Sequence, residues 1–220
     1  MDIKIITTED GSHSLYDIAL NETYHSTRGA RGESLHVFIK EGLEHWMSEN
    51  TLEEVRILEV GLGTGLNAFL TSLWAEQKKK KIHLTSLEPV PIQEEHYAHL
   101  NYANSIEEKT LLEHIHTCVW ETEVGISSYF ELHKTTKRLE EFMPSSHFDI
   151  VYFDAFAPSK QPEVWSLENL QKCHDMLNIR GILTTYCAQG QFKRNLRQVG
   201  FSVETLQGAM GKKEMVRAVK

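Results

Sequence analysis

A strand that ends in a glycine loop constrains the fold of this chain more than any other feature of its sequence. The run Val55 to Val60 is rich in branched apolar residues and predicts a buried strand, and residues 66–76 are predicted to form a helix. The loop between them contains three glycines, which let the backbone turn sharply and approach a ligand where a Cβ would clash. Strand, loop and helix in this order predict the nucleotide-binding corner of a doubly wound α/β sheet.

The spacing of the glycines argues against a dinucleotide as the ligand. A dinucleotide fingerprint needs a third glycine after two intervening residues, and Leu66 occupies that position. The observed Gly61-x-Gly63-x-Gly65, preceded by Glu59, instead resembles the first motif of class I methyltransferases, which bind S-adenosylmethionine. For the loop alone, an ordinary strand-to-helix turn is the alternative.

Length and composition indicate a single soluble domain. The 220 residues suffice for one full core, no apolar run is long enough to span a bilayer, and the first residues lack the pattern of a secretory signal. The three cysteines are far apart and odd in number, which indicates a reducing compartment without a disulfide framework or a zinc knuckle. We therefore expect a cytoplasmic protein with no membrane contact.

Charge is unevenly distributed along the chain. The formal net charge of −8 argues against a dedicated nucleic-acid coat protein. Residues 1–154 carry 13 Lys/Arg and 26 Asp/Glu, a balance of −13, whereas residues 155–220 carry 10 and 5, a balance of +5. The basic C-terminal part could dock a phosphate backbone on one face, although a chance asymmetry of solvated residues explains the charges equally well.

Strands and helices alternate after residue 50, which predicts an α/β fold with a parallel sheet. The final hairpin resembles the end of the class I methyltransferase sheet, and this resemblance implies a Rossmann-like fold with a mostly parallel seven-stranded sheet and one antiparallel strand. The strands are predicted over residues 55–60, 82–87, 115–119, 148–153, 182–186, 201–206 and 215–219, with an extra strand or hairpin over 126–133. The helices are predicted over residues 66–76, 91–103, 106–113, 167–176 and 191–198.

Residues 1–50 are predicted to form an N-terminal extension packed on a methyltransferase domain of residues 51–220. The extension contains two strand-like pieces, 4–7 and 15–20, and an amphipathic helix over 32–47. The polar, glycine-containing segment between them could cover the ligand.

Two acidic residues end predicted strands at the edge where such folds bind ligands. Glu88 follows the second strand, 23 residues after Gly65, where an acid accepts hydrogen bonds from ribose hydroxyls. Asp154 follows the fourth strand and is predicted to point into the cleft. Beside a sulfonium methyl donor, this carboxylate could orient an amine and take its proton. A solvated Glu88 and an Asp154 that only caps the loop are the structural alternatives.

The loop after Asp154 carries further candidate substrate contacts. Pro158 and Pro162 stiffen it, Phe156 offers an apolar wall, and Lys160 offers a cation. Such a loop could hold a flipped base, or it could simply be a rigid surface loop.

Metal binding is the competing chemistry, but its signal is weak. His96 and His99 are spaced as on a helix, and His114 and His116 alternate as on a strand, yet neither pair has a third ligand at a recognised spacing. We therefore predict no metal site.

Several motifs together resemble one family. The most specific is Asp154-Ala-Phe-Ala-Pro-Ser-Lys-Gln-Pro-Glu-Val-Trp165, and it is joined by Glu88-Pro89 and by the glycine loop with Glu59 and Asn67. Further matches in chain order are Tyr24-His25-Ser26, Gly32-Glu33-Ser34, Val37-Phe38, Tyr186-Cys187-Ala188, Arg194, Gly200-Phe201 and Gly211-Lys212-Lys213-Glu214-Met215. The chain thus resembles the tRNA 5-methylaminomethyl-2-thiouridine methyltransferases, MnmD and the methyltransferase domain of bifunctional MnmC, over nearly its whole length.

The resemblance implies a reaction and a set of site residues. A methyl group would pass from S-adenosylmethionine to the amine of 5-aminomethyl-(2-thio)uridine at the wobble position, with Asp154 as the catalytic residue and the tRNA anticodon loop as substrate. The implied cofactor contacts are Tyr24, Glu59, Gly61, Gly63, Thr64, Gly65, Asn67, Glu88 and Pro89. The implied substrate contacts are Phe156, Lys160, Arg194, Lys212 and Lys213.

The chain departs from the family pattern in three respects. Gln161 stands where the family commonly has Asn, and His25 stands where it often has Phe. No second glycine fingerprint is present, so no flavin is expected and another protein must supply the aminomethyl uridine. Two other functions stay open: a class I methyltransferase that acts on another small amine, and a non-catalytic nucleotide-binding module. The sequence leaves the identity of any protein partner open.

Overall fold

A computed structural model of the protein describes residues 2–220. The chain begins with a three-stranded antiparallel sheet formed by β1 (Ile3–Thr7), β2 (His13–Asp17) and β3 (Glu22–Thr23). A continuous helix, α1, follows, in which α-helical Ala30–Ser34 and His45–Glu49 flank a π-helical stretch, Leu35–Glu44. The predicted strand pieces and the predicted helix of the extension are therefore present, but the π-helical geometry was not predicted.

The rest of the chain alternates strands and helices, as predicted. The strands are β4 (Glu54–Val60), β5 (Lys81–Leu87), β6 (Glu123–Gly125), β7 (Phe130–Thr135), β8 (Phe148–Phe153), β9 (Leu177–Thr185), β10 (Ser202–Gln207) and β11 (Glu214–Val219). The helices are α2 (Leu66–Lys78), α3 (Glu94–Tyr97), α4 (Ile106–Thr117), α5 (Leu167–Met176) and α6 (Gly190–Gln198).

Strands β4 to β11 form one eight-stranded sheet in the order β10-β11-β9-β8-β4-β5-β7-β6. Neighbours from β9 to β7 pair in parallel, β11 pairs antiparallel with both β9 and β10, and β6 adds an antiparallel edge. A mostly parallel arrangement of seven strands with one antiparallel member, β11, is thus present as predicted, with β6 as an eighth strand. Successive strands are added on opposite sides of β4, so the strand order reverses between β4 and β8.

Alternating residues of the central strands face two apolar layers. Ile57, Ile150 and Tyr152 pack with α1 and α2, whereas Leu58 and Val151 pack with α5 and α6 on the other face. Burial on both faces explains why β4 and β8 are nearly continuous apolar runs. This two-sided packing fixes the carboxyl ends of both strands at one edge.

The predicted strand over 115–119 is wrong, because helix α4 continues to Thr117. Leu112 and Ile115 are three residues apart on the buried side of this helix, so their spacing is helical. The buried ammonium of Lys134 donates hydrogen bonds to the carbonyl oxygens of Ile115 (2.8 Å) and His116 (2.7 Å) and so stabilises the last helical turn. The third strand is β7, which overlaps the region 126–133 that was predicted as an extra strand or hairpin.

The helix predicted over 91–103 is mostly absent, since only Glu94–Tyr97 is α-helical. Asn101 is instead bound to the small sheet: its Oδ1 accepts a hydrogen bond from the backbone N–H of His13 (2.6 Å), and its Nδ2 donates to the carbonyl of Gly11 (2.9 Å). These long-range bonds favour an irregular backbone at Asn101 over a helix. Over residues 2–220, no helix has the length and apolar character that crossing a bilayer requires.

Candidate active site

A cavity of about 340 Å³, which we call the cleft, opens at the carboxyl ends of β4 and β8. Its walls come from the glycine loop after β4, the ends of β5 and β8, the N-terminal segment between β2 and α1, and the loop before β11. This is the point of strand-order reversal, where open α/β sheets bind their ligands. The segment of the extension that was predicted to cover the ligand does line the cleft.

The glycine loop lies against the backbone that follows β8. Gly61 has a φ of +98°, and a Cβ at this position would lie 2.6 Å from the carbonyl oxygen of Asp154. The missing side chain therefore lets the ends of β4 and β8 meet. Gly61 and Gly63 both line the cleft with their backbones, whereas Gly65 does not line it and begins α2.

Glu88 is fixed at the end of β5 by the glycine loop. Its Oε2 accepts a hydrogen bond from the N–H of Gly63 (2.9 Å), and its Oε1 accepts one from the N–H of Val90 (3.0 Å). Burial raises the pKa of this carboxyl, and the two backbone hydrogen bonds oppose that rise. Each oxygen keeps a second lone pair, so the carboxylate can still accept hydrogen bonds from a ligand. The adjacent Pro89 lines the rim.

Asp154 lies in the cleft directly after β8. Its Oδ2 accepts a hydrogen bond from Asn67 Nδ2 at 2.7 Å. Burial raises the pKa of Asp154 to about 7, with the Glu33 carboxylate raising it further and the Asn67 hydrogen bond and the Lys212 ammonium opposing the rise. A carboxyl with a pKa near neutrality can exchange a proton at physiological pH.

Asn67 also contributes an unused acceptor. Its Oδ1 is buried and has no hydrogen-bond partner among residues 2–220, and the residue lines the cleft. Buried polar atoms are usually hydrogen-bonded. This oxygen is therefore suited to accept a hydrogen bond from a bound ligand.

Glu59 was predicted to contact the cofactor, but the structure does not bring it to the cleft surface. The residue is fully buried within β4 and is absent from the cleft lining, and Ser86 Oγ donates to its Oε2 at 2.5 Å. Burial raises the pKa of Glu59 to about 8, so the carboxyl is largely protonated at neutral pH. Its position beneath the loop fits a supporting role better than ligand contact.

The N-terminal segment and the loop after β8 are bound to each other across the cleft. The rings of Tyr24 and Phe156 meet edge to face with centroids 4.9 Å apart, and both residues line the cleft. Lys160 Nζ donates to the carbonyl of Leu20 at 2.9 Å and is not part of the lining. Lys160 thus links the loop after β8 to the N-terminal segment in this structure. This contact differs from its predicted role as a substrate contact.

Buried Glu33 and partly exposed Lys212 form an ion pair beside Asp154. Lys212 Nζ donates to Glu33 Oε1, the backbone N–H of Ser26 donates to Glu33 Oε2 at 2.8 Å, and the ammonium lies 5.1 Å from the centre of the Tyr186 ring. Glu33 and Lys212 both line the cleft. The sequence marked Lys212 as a site residue but placed Glu33 only within a motif, although Gly32-Glu33-Ser34 was the available signal.

The remaining predicted site residues are divided between the cleft and its surroundings. Thr64 lines the floor, where Tyr102 Oη donates to its Oγ1 at 3.0 Å. Lys213 lines a neighbouring groove. Arg194 is exposed on α6, donates to Gln191 Oε1 at 2.7 Å, and lines neither cavity. Sequence reasoning missed the part of the wall that comes from residues 138–140, whose composition carries no distinctive signal.

The histidine pairs considered as metal ligands do not form a site. His116 stacks on Tyr97 with centroids 4.3 Å apart and contacts the carbonyl of Thr64. Within residues 2–220, the one group of three potential ligands close together is His83, Glu123 and Glu131. The ammonium of Lys81 already lies 2.7 Å from Glu131 there, so a cation would have to compete with it.

Comparisons with known proteins agree with this geometry. Residues 94–220 match a family described as S-adenosyl-L-methionine-dependent methyltransferase. The chain belongs to this family. Bifunctional MnmC proteins, named for tRNA 5-methylaminomethyl-2-thiouridine biosynthesis, are 30% identical in Azoarcus sp. (strain BH72) and in Cupriavidus metallidurans, and the matches cover 95% and 97% of this chain. The chain spans only about one third of those relatives, 34% and 33%.

A solved structure is similar over nearly the whole chain. MnmC2 from Aquifex aeolicus matches 98% of this chain and 69% of its own, with a TM-score of 0.79 and 25% sequence identity. Streptomyces venezuelae DesVI, at 10% identity and a TM-score of 0.50, shares the fold alone. The class I methyltransferase fold predicted from the sequence is confirmed.

The cleft residues fit S-adenosylmethionine. The side-chain-free backbone at Gly61 and Gly63 leaves room for close approach, and Glu88 retains acceptors suited to ribose hydroxyls. Asn67 Oδ1 has no hydrogen-bond partner in the described part of the chain. Cations are also favoured, because the lining acids outnumber the two lining cations, Arg138 and Lys212, and Lys212 is already paired with Glu33. The lining acids are Asp17, Glu22, Glu33, Glu88, Glu140, Asp154 and Glu163.

Proposed function

We propose that this methyltransferase methylates the primary amine of 5-aminomethyl-(2-thio)uridine at the wobble position of a tRNA. The observation that carries the proposal is the position of Asp154, a carboxyl with a pKa of about 7, in a cleft that is lined by both the glycine loop and Phe156. The names of the MnmC relatives support the choice of nucleoside. Because those relatives are about three times as long, their full activity is not transferred to this chain.

Asp154 has the central role in the proposed mechanism. A primary alkylamine is largely protonated at neutral pH and must lose its proton before it can act as a nucleophile. Asn67 holds one carboxylate oxygen of Asp154 through a 2.7 Å hydrogen bond, which leaves the other oxygen for the amine. A base with a pKa near 7 can take this proton while remaining partly ionised at working pH.

The remaining cleft residues position the reactants. When bound, S-adenosylmethionine would supply a sulfonium methyl group: the amine nitrogen would bond to the methyl carbon as its bond to sulfur breaks, and S-adenosylhomocysteine would be the leaving group. Glu88 would hold the ribose, and the backbones of Gly61 and Gly63, together with Asn67, Thr64 and Pro89, would surround the cofactor. Phe156 would form the apolar wall against which the uracil ring lies, and Tyr24, whose ring meets that of Phe156, would contact the cofactor beside Gly63. Alignment of donor and acceptor is the main catalytic contribution that such a site makes.

We also propose that residues 1–50 act as an extension that closes the cleft of the 51–220 methyltransferase domain; Met1 lies outside the described residues. Support comes from Tyr24 and Glu33, which line the cleft from the extension, and from the contact of Lys160 with Leu20. A closed cleft excludes water from the reacting amine and strengthens its interactions with the carboxylates.

Nucleoside analysis of tRNA tests the proposal. Undermodified tRNA that carries 5-aminomethyl uridine would be incubated with the protein and methyl-labelled S-adenosylmethionine, then digested and separated. Label in 5-methylaminomethyl-(2-thio)uridine is expected, and Asp154→Asn should lower the rate by about 10²–10⁴-fold, the range of general base catalysis, without unfolding the protein.

Three outcomes would contradict the proposal in different ways. Label in a small amine but not in tRNA would indicate a different substrate. Cofactor binding without any turnover would indicate a nucleotide-binding module. A near-normal rate for Asp154→Asn at neutral pH would remove Asp154 as the base while leaving the substrate in place.

A further inference from the structure

A second, shallower cavity, which we call the groove, adjoins the cleft. It combines residues from two distant parts of the chain, the N-terminal segment and the loop between β10 and β11. Its lining consists of Tyr16, Asn21, Glu22, Thr23, Ser26, Thr27, Arg28, Gly211, Lys212 and Lys213. Four of these residues also line the cleft: Glu22, Thr23, Ser26 and Lys212. The two cavities are therefore adjacent and share part of their walls.

The groove carries cations that the protein does not neutralise. Within the described range, residues 2–220, no carboxylate lies within ion-pair distance of Arg28 or Lys213, although the other basic groove residue, Lys212, pairs with Glu33. The only acid in the lining is Glu22, whose Oε1 accepts a hydrogen bond from the N–H of Thr23 at 3.0 Å. The groove thus has a net positive charge beside a strongly acidic cleft.

The loop between β10 and β11, near the C-terminal end of the sequence, holds Arg28 in place. Its Nη1 donates to the carbonyl of Met210 at 3.3 Å. Gly211 has a φ of +76°, and a Cβ there would lie 2.9 Å from the same Nη1. A glycine at this position therefore lets the guanidinium rest against the loop backbone, and most of its five donors remain available to a ligand.

An aromatic ring borders these cations. Tyr16 lines the groove and is half-buried, and its Oη donates to Asn21 Oδ1 at 2.6 Å. Cations that track a phosphate backbone, together with an aromatic ring on which a base can stack, are the two elements with which proteins bind single-stranded nucleic acid.

We propose that the groove binds the single-stranded RNA that flanks the target nucleotide, with a phosphate on Arg28 and Lys213 and a neighbouring base against the ring of Tyr16. This inference rests on the proposed function. A nucleotide whose base enters the cleft must leave its backbone outside, and the groove is the cationic surface that shares walls with the cleft. The RNA surface is then composite, with Arg28 and Tyr16 from the N-terminal extension as well as lysines from the basic C-terminal part.

Fluorescence anisotropy with a labelled seven-nucleotide single-stranded RNA of anticodon-loop sequence tests the proposal directly. An unmodified uridine at the wobble position of this loop makes the measurement independent of methyl transfer. The double variant Arg28→Gln/Lys213→Gln should bind at least tenfold more weakly than the wild type at low salt. Its slope of log affinity against log salt should be flatter by about 0.7, because the loss of one phosphate contact on a single strand removes about 0.7.

A matched control is Lys78→Gln/Lys79→Gln, which also removes two exposed cations but at the opposite edge of the sheet, before β5. This control should bind like the wild type. For the ring, Tyr16→Leu should weaken binding about tenfold while Tyr16→Phe keeps the affinity, since stacking needs the ring and not the hydroxyl.

Methylation assays separate this proposal from the proposed function. With tRNA as substrate, the groove variant should raise KM for tRNA and leave KM for S-adenosylmethionine unchanged. With free 5-aminomethyluridine, which has no phosphate, it should behave like the wild type. If neither substrate is methylated, the proposed function fails while the anisotropy result still decides the groove. Equal RNA affinity and equal salt slopes for the wild type and the groove variant would overturn the inference, as would equal losses in the Lys78/Lys79 control.

Discussion

The raised pKa of Asp154 predicts that the stability of the protein and its activity depend on pH in opposite directions. The carboxyl has a pKa of 3.8 when unperturbed and about 7 in the folded protein. The folded state therefore binds this proton more tightly than the unfolded chain does. Stability is lost as pH rises from about 4 to about 7, where the folded protein must hold a partly desolvated carboxylate. Below pH 3.8 both states are protonated and the penalty disappears.

Substituting Asp154→Asn removes the titration but keeps the shape and the acceptor for the Asn67 amide. One pKa unit corresponds to about 1.4 kcal/mol, so a shift from 3.8 to about 7 has an upper limit of about 4 kcal/mol at high pH. By the same relation, about 2–3 kcal/mol of this difference develops between pH 5 and pH 8. Because the side chain is only half-buried, solvent screening lowers the expected change to about 2 kcal/mol.

Urea unfolding of the wild type and of Asp154→Asn, measured from pH 5 to pH 8, provides the assay. The stability of the variant relative to the wild type should increase with pH by about 2 kcal/mol over this interval. The catalytic counterpart is that kcat/KM of the wild type rises about tenfold per pH unit below 7 and then levels off. If the stability difference stays constant with pH, or shrinks, Asp154 does not titrate near neutrality and its assignment as the base loses its physical ground.

Three further predictions concern residues around Asp154. Glu88→Ala should weaken S-adenosylmethionine binding by about 1.5–3 kcal/mol, the range for a hydrogen bond to a charged group, which calorimetry measures; unchanged affinity would remove Glu88 from the ribose. The Lys212 ammonium lowers the pKa of Asp154 and the Glu33 carboxylate raises it. Lys212→Met should therefore move the acid limb of the pH profile of kcat/KM to higher pH, and Glu33→Gln should move it to lower pH. Shifts of both variants in the same direction would contradict this. Gly61→Ala should lower stability by about 1–3 kcal/mol through its positive φ and its contact with Asp154, as thermal unfolding would show.

The central strands could be predicted because local pattern and tertiary burial agree there. Strand β8 and helix α5 have the same limits in the structure as in the prediction, Phe148–Phe153 and Leu167–Met176. The first is an apolar run buried on both faces, and Ser166 caps the second by accepting a hydrogen bond from the N–H of Asn169.

Prediction failed where a distant contact decided the local structure. The alternation around Ile115 resembled a strand, but Lys134 binds the carbonyls of the last helical turn from 19 residues away along the chain. The π-helical stretch of α1 packs Phe38 against Tyr152, with ring centroids 5.3 Å apart, and nothing in its apolar periodicity separates it from an α-helix. Such contacts link residues far apart in sequence, so local pattern cannot reveal them.

The candidate site residues also differ in whether local sequence or a distant contact determines their position. Asp154 and Glu88 could be predicted to face the cleft because strand ends in a parallel sheet meet at one edge. Glu33 and Arg28 could not, since their position depends on how the N-terminal segment packs against the loop before β11. The Lys/Arg and Asp/Glu counts along the sequence predicted a phosphate-binding surface within residues 155–220. The groove is also lined by Arg28, which belongs to the acidic part of the chain, residues 1–154.

The opposite charges of the two cavities would orient the proposed substrate. An aminomethyl nucleotide within RNA carries a cationic ammonium on its base and an anionic phosphate on its backbone. The cleft presents Asp154, Glu33 and Glu88, whereas the adjoining groove presents Arg28 and Lys213. Insertion with the ammonium in the cleft satisfies both charges, and the reverse orientation would place phosphate beside three carboxylates. Complementarity of this kind contributes more to orientation and discrimination than to affinity. An unmodified wobble uridine lacks the ammonium, so the same arrangement would favour the aminomethylated base over its precursor once the RNA is docked.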